Sequence, residues 1–364
     1  MNNNNFYKSF EDNFRGSRKL IKERLLTYFP LVFQFKMIYS DITVLDLGCG
    51  RGEWLELLTN NDIKARGIDL DDGMIKVCKN LNLNIQKDNA IDYLKEQKDE
   101  SFVIVSAFHL VEHISFEDLQ TLVQEALRVL KPGGLLIMET PNPENIKVST
   151  EYFYLDPTHI KPIPSQLLSF LSEHYGFYRS KILRLQEHKK LVNQEKISLY
   201  DVISGVSPDY AIVAQKEAPK EVLHNFDDFF NKDYGLSLIR LSNKFENRLS
   251  EMESKIYQLE QKISLVEANY NALLDSKSWK ITKPLRIGAK WFRWFKTGVK
   301  HWITFSPTSR PRRVMLSILN KIPKFQKILI VSEETLTKPK KLSSNAIKIY
   351  DDIKNTIEKK KRSK

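Results

Sequence analysis

The stretch 44–53, Val-Leu-Asp-Leu-Gly-Cys-Gly-Arg-Gly-Glu, constrains the fold of this chain more than any other. Val44 to Leu47 read as a buried strand, Gly48, Gly50 and Gly52 as a turn, and Trp54 to Thr59 as the start of a helix. Glycine has no Cβ, so such a turn lets backbone approach a ligand closely. A dinucleotide fingerprint needs its third glycine at the sixth place, and there the chain has Glu53. The glycines stand at the first, third and fifth places instead, with an acid, Asp46, inside the strand end. The plainer alternative is a glycine-rich turn with no ligand.

From Asp41 to about Lys216, short apolar runs alternate with helical patterns. Strands are expected at 43–47, 64–69, 83–87, 101–106, 134–139, 177–186 and 208–215, with helices filling most gaps, which predicts a parallel α/β sheet. Residues 1–40 read as helical and amphipathic, with Phe6, Phe10, Phe14, Leu20, Ile21 and Leu25 on the apolar face.

The glycine set resembles that of class I S-adenosylmethionine (SAM) methyltransferases. Lys131-Pro132-Gly133-Gly134 is similar to the turn that follows the fourth helix in that class. The last two strands, ending in Asp209-Tyr210-Ala211-Ile212-Val213, resemble its closing antiparallel pair. The resemblance implies a Rossmann-like sheet over 1–216 with SAM as cofactor. Asp46, Gly48, Cys49, Gly50 and Gly52 would surround the methionine end, and Ala107 and Phe108 the wall beside it. Asp69, with Leu70 beside it, would accept two ribose hydroxyls, since a carboxylate takes two hydrogen bonds at once; its plainer role is a helix cap. Asp88-Asn89-Ala90 sits where the class contacts adenine, and the inserted Asn89 leaves open which residue reaches the ring.

The fourth strand runs into His109-Leu110-Val111-Glu112-His113. Ligands bind at the carboxyl edge of such a sheet, which puts His109 on the acceptor side. A histidine titrating near neutrality takes a proton from a hydroxyl, and Glu112 and His113 would orient it or simply cap the next helix; a cofactor-pocket wall is the alternative role of His109. No Asn/Asp-Pro-Pro-aromatic sequence follows this strand, which argues against DNA base methylation. Three stretches, 10–18, 47–55 and 139–145, are similar to bacterial methyltransferases of cell-surface polysaccharide synthesis, including O-antigen chain-terminating enzymes. Tyr154-Leu155-Asp156-Pro157-Thr158-His159 fits the same group. That resemblance implies that Arg15 reaches over the cofactor and that Asp156 and His159 line the acceptor pocket. Residues 217–364 carry no kinase signature, so a sugar hydroxyl is the expected acceptor rather than a phosphate.

The net charge of +12 is concentrated. Residues 276–332 hold 14 Lys/Arg, no Asp/Glu, and four of the five tryptophans: Trp279, Trp291, Trp294 and Trp302. On a helical wheel from Pro284 to Ile303, Leu285, Trp291, Phe292, Trp294, Phe295, Val299, Trp302 and Ile303 oppose Arg286, Lys290, Arg293, Lys296 and Lys300. A basic face opposite Trp and Phe is the pattern of a helix lying on anionic lipid. RNA binding or docking on a glycosyltransferase are the rival readings. Residues 217–234 read as a linker and 333–364 as a Lys-rich, disordered end.

Between them, 235–275 carries heptads, with Leu238, Phe245, Met252, Leu259, Val266 and Leu273 at d and Ser242, Leu249, Ile256, Ile263 and Tyr270 at a. Position e holds Glu246, Glu253, Glu260 and Glu267, and position g holds Arg248, Lys255 and Lys262, so each g–e pair attracts in a parallel arrangement. A parallel homodimer is expected, with a trimer or a single helix folded back as alternatives. Cys49 and Cys78 give neither a disulfide framework nor a zinc pattern. No metal site is expected. The N-terminus lacks signal-peptide regions, and no uncharged apolar run is long enough to span a membrane. The chain is therefore expected in the cytoplasm, peripherally on the inner face of the membrane. The expected activity is O-methylation of a lipid-linked or growing surface glycan, with an RNA methyltransferase or a non-catalytic scaffold as alternatives.

Overall fold

The computed structural model describes residues 16–304, 313–314 and 317–318. Arg15, Phe6, Phe10, Phe14 and the tail 333–364 lie outside the described residues. The chain divides into two compact units, residues 1–258 and 259–364. Seven strands in the first unit form one sheet: β1 (Thr43–Leu47), β2 (Lys64–Asp69), β3 (Ile85–Lys87), β4 (Phe102–Phe108), β5 (Leu130–Pro141), β6 (Arg179–Leu185) and β7 (Asp209–Gln215). Their spatial order is β3-β2-β1-β4-β5-β7-β6. β1 to β5 are mutually parallel, and β7 runs antiparallel to both its neighbours. The sheet and its antiparallel ending agree with the sequence pattern.

Both sheet faces are covered, as near-continuous apolar strands require. The period of two is explicit in β7, where Tyr210, Ile212 and Ala214 join one core layer and Ala211 and Val213 the other. The first layer packs against the helices Ala90–Glu96, Phe116–Val129 and Ser165–His174. The second packs against Arg18–Leu25, Phe29–Ile38 and Glu53–Thr59. In the first of these, Leu25 is buried and Ile21 packs against the core, whereas Leu20 faces solvent.

Residues 217–234, expected as a linker, are part of this core. They form the short helices Lys220–His224 and Asp227–Asn231, and Phe226 and Phe230 are buried in the second layer. The Phe226 ring lies 5.0 Å from that of Phe35. Arg179 holds the segment down, pairing with Asp227 at 2.6 Å and stacking on Phe230. Aromatic residues one turn apart in a polar stretch are a weak local signal, and only the sheet behind them makes them core.

Residues 238–275 form one helix, Leu238–Asp275. Its first turns belong to the globular unit: Leu241 is buried, Leu238 and Phe245 pack with Leu191, Ile197 and Val202, and Arg248 donates to the Ile197 carbonyl. Leu238 and Phe245, at d positions of the heptads, are thus taken up by the globular unit, and the exposed seam begins at Leu249. From there Leu249, Met252, Ile256, Leu259, Ile263, Val266, Tyr270 and Leu273 are exposed. The helices Lys277–Ile281 and Lys283–Thr304 follow. Leu285, Trp291, Phe292, Trp294 and Phe295 are all exposed, and Arg286 stacks on Trp279 at 3.6 Å. The side chains of Lys300, Trp302 and Ile303 lie outside the described residues. Among those described, no helix is long and apolar enough to cross a membrane.

Candidate active site

A cavity of about 1040 Å³ opens at the carboxyl edge of the sheet, where the strand order reverses between β1 and β4. Open α/β sheets bind ligands at this point. Its floor is the glycine turn, with φ of +65° at Gly48 and +52° at Gly50, conformations that side chains with a Cβ rarely adopt. A Cβ at Gly48 would stand 3.1 Å from Leu110, itself a wall of the cavity. Asp46, beneath the turn, is buried and accepts from Ser106 at 2.7 Å. Asp69, at the end of β2, is fixed by two backbone donors: Gly50 N–H to Oδ2 and Asp71 N–H to Oδ1, each at 2.8 Å. Each carboxylate oxygen keeps a further lone pair for a ligand. The adjacent helix Asp72–Asn80 is capped by Asp71, which accepts from Met74 at 2.9 Å, so Asp69 is not its cap. Trp54 is 1% exposed and lines the cavity, and its indole N–H has no acceptor among the described residues.

Farther along, one histidine stands among three acids. His109 follows β4 with φ +54°, an uncommon conformation for a residue with a Cβ. Its Nδ1 donates to Glu112 at 3.2 Å, and its Nε2 lies 3.7 Å from Glu139. Glu139 also accepts from the buried Tyr28 hydroxyl and, at 3.1 Å, from Gln186. Burial pulls the His109 pKa down, but the hydrogen bonds to Glu112 and Glu139 and the charge of Asp209 outweigh it. His109 is held well above its ordinary 6.5. Burial pushes Asp209 up to about 6, with His109 opposing and Glu139 reinforcing the shift. At neutral pH His109 is therefore a cation that donates, and Asp209 is a carboxylate whose proton affinity lies near neutrality.

The remaining wall comes from the segment after β5. Tyr152, Leu155, Asp156, Thr158 and His159 line the cavity beside His113, whose ring lies 4.7 Å from that of His159. Burial lowers the His113 pKa, so this imidazole is neutral. A second cavity of about 290 Å³, lined by Lys147, His188 and Tyr200, shares Tyr152, Gln186 and Pro208 with the first.

Of the sequence-derived residues, Asp46, Gly48, Cys49, Gly50, Asp69, Leu70, Asp88, Asn89, Ala90, Phe108, His109 and His159 line the main cavity together. Three are placed otherwise. Gly52 faces the helix packing, where a Cβ would come within 2.7 Å of both Cys78 and Leu83. Ala107 points into the first core layer, one residue short of the cavity edge. Glu112 is buried behind the wall, with its carboxylate turned to His109 on one side and lying near His113 and His159 on the other. Asn89 spends its side-chain oxygen capping the helix Ala90–Glu96, leaving the Asp88 carboxylate as the polar group at that end. Sequence reasoning missed Arg24, Tyr28, Trp54, Glu139, Gln186 and Asp209. Glu139 and Asp209 sat inside motifs read as strand ends, and nothing local marks Tyr28 as their partner.

Comparison with known proteins adds to this geometry. The methyltransferase domain family matches residues 45–138. A ubiquinone biosynthesis O-methyltransferase of Coxiella burnetii is 33% identical over 120 residues, 30% of this chain and 50% of the relative. One from Shewanella sp. (strain ANA-3) is 24% identical over 188 residues, 48% of this chain and 76% of that protein. The chain thus spans about half the length of the first of these curated relatives. A solved SAM dependent methyltransferase from Archaeoglobus fulgidus is 37% identical with a TM-score of 0.52, matching 58% of this chain and 100% of that one.

Proposed function

The chain belongs to the SAM-dependent methyltransferases, and on that premise we propose that it methylates a hydroxyl of a lipid-linked or growing bacterial surface glycan. The cofactor fits the residues present. The glycine turn leaves room that a Cβ at Gly48 would occupy, Asp69 offers two free lone pairs at ribose position, and Trp54 holds an unused donor. SAM brings an activated sulfonium methyl group, so the protein's part is positioning and proton removal. Asp69 and the turn fix the donor end, and the apolar wall of Leu70, Met74 and Leu110 excludes water. Asp209 takes the hydroxyl proton, with His109 beside it as a fixed cation that keeps Glu112 ionised.

The observation that carries the acceptor class is the far wall, where Tyr152, Asp156, Thr158 and His159 place aromatic and polar groups together. The smaller adjoining cavity extends this wall with Lys147 and Tyr200, giving room for a second sugar unit. A second reading, a phenolic quinone-lipid precursor, is favoured by the similarity to ubiquinone biosynthesis O-methyltransferases. Two further features support work at a membrane: an exposed apolar seam from Leu249 to Leu273, read as a parallel dimer interface, and a helix with exposed tryptophans and basic residues, read as an anionic-lipid anchor. Incubation with methyl-labelled SAM and fractionated glycolipid, quinone lipid and RNA tests the acceptor. Label in glycolipid supports the proposal, label in quinone lipid supports the second reading, and label in RNA overturns both.

A further inference from the structure

We infer that Glu112, His113 and His159 form a binding site for a divalent first-row transition-metal ion at the acceptor end of the cavity, although the sequence pattern gave no sign of one. One ligand atom from each lies within 4.8 Å of the others. Donors sharing one ion at about 2.1 Å stand roughly 3–3.5 Å apart, so small imidazole rotations close the set.

The hydrogen bonds fix both rings as ligands. His159 Nδ1 faces the Phe153 carbonyl at 2.6 Å; a carbonyl only accepts, so Nδ1 carries the proton, and Nε2, with the Asp156 carboxylate 4.0 Å away and beyond hydrogen-bonding distance, carries the lone pair. Thr158 donates its single hydroxyl proton to Asp156 at 2.6 Å. Toward His113 Nδ1, 2.9 Å away, Thr158 can then only accept. His113 therefore also carries its proton on Nδ1 and exposes the Nε2 lone pair. Metal-bound histidines are commonly oriented by such a donor bond from the other ring nitrogen.

The third ligand is equally well held. Glu112 is 1% exposed, and Thr140 donates to its Oε2 at 2.9 Å while His109 donates to Oε1. Each oxygen retains a lone pair. The backbone ties the parts together, with Ile160 N–H donating to the Glu112 carbonyl at 2.9 Å. Two imidazoles and one carboxylate leave positions open on the cavity side, the arrangement in which a substrate oxygen completes the sphere.

The role of the ion, unlike the site, rests on the O-methyl transfer proposed above. An alcohol holds its proton far more tightly than a carboxylate near neutrality accepts it, and a bound divalent ion lowers the pKa of a ligated hydroxyl by several units. The O–H bond then breaks with the proton passing to Asp209. The new O–CH3 bond forms as the S–CH3 bond breaks, leaving a neutral thioether.

The test is Co2+ titration of the chelator-treated full chain, read by visible d–d absorption, with SAM affinity measured on the same samples. One Co2+ should bind per chain, and His113→Gln and His159→Gln should each weaken it at least about 100-fold while SAM affinity stays within about threefold. Thr158→Val should weaken Co2+ about 10–100-fold by releasing His113 from its orientation. No stoichiometric Co2+ uptake by a wild-type protein that binds SAM, or unchanged uptake in both histidine variants, overturns the site. Co2+ binding with label transfer indifferent to chelator overturns the role in the reaction. Co2+ binding with no hydroxyl acceptor labelled overturns the O-methylation reading and leaves the site standing.

Discussion

Asp69 is poised by geometry rather than by its own rotamer freedom. Gly50 N–H and Asp71 N–H hold its two oxygens, so the carboxylate is already oriented when a diol arrives. Asp69→Ala removes two ligand bonds and unpins the turn. It should raise the SAM dissociation constant about 100-fold or more by calorimetry, each charge-assisted bond contributing about 1.5–3 kcal/mol. Asp209 acts at the other end of the chemistry. Its carboxyl, pushed up to about 6 by burial, is protonated and idle below that pH and becomes a working base above it. The rate of methyl transfer should therefore rise with pH through about 6, and Asp209→Asn should lower kcat about 10²–10³-fold and abolish that limb. A pH–rate profile of both proteins checks this. His109, by contrast, is held protonated by Glu112, Glu139 and Asp209, which changes its part from proton acceptor to fixed donor.

Among the elements, the two short helices within 217–234 bear on how much of the chain the catalytic unit needs. Phe226 is fully buried against Phe35, so Phe226→Ala should destabilise the protein by about 3–5 kcal/mol in urea unfolding. A variant ending at residue 216 should lose cooperative unfolding, whereas one ending at 248 should keep it. The long helix divides by function along its length. Its first turns are committed to the globular unit through Leu241, Phe245 and Arg248, and the exposed apolar row begins at Leu249. With like pairs avoided only in the parallel arrangement of Glu253, Lys255, Glu260 and Lys262, the proposed parallel dimer should appear in sedimentation and be lost in Ile256→Lys together with Ile263→Lys, with SAM affinity unchanged.

At the scale of the whole molecule, charge separates the parts. The 14 basic residues of 276–332 carry the excess of the chain. Six large apolar side chains among the described residues of the helix Lys283–Thr304 stand exposed in water. Each basic group near an anionic bilayer contributes about 1 kcal/mol. Deleting residues 276–364 should abolish co-sedimentation with phosphatidylserine vesicles while SAM binding persists, and raised salt should weaken binding of the full chain.

Much of this molecule is written locally. The strand, the three-glycine turn and Asp69 were legible because each depends on a short pattern: an apolar run, residues tolerant of positive φ, and an acid at a strand end. The same held for the seven strands, which stand out as short apolar runs between helical patterns. Tertiary structure decided the rest. Tyr28 meets Glu139 across 111 residues, and Glu139 meets His109 and Asp209 only because β4, β5 and β7 lie side by side in one register. No local propensity encodes such a meeting. The protonation of His109, the tautomers of His113 and His159, and the burial of Phe226 likewise follow from which groups packing brings within reach, and a side chain's chemistry is set by those neighbours as much as by its own identity.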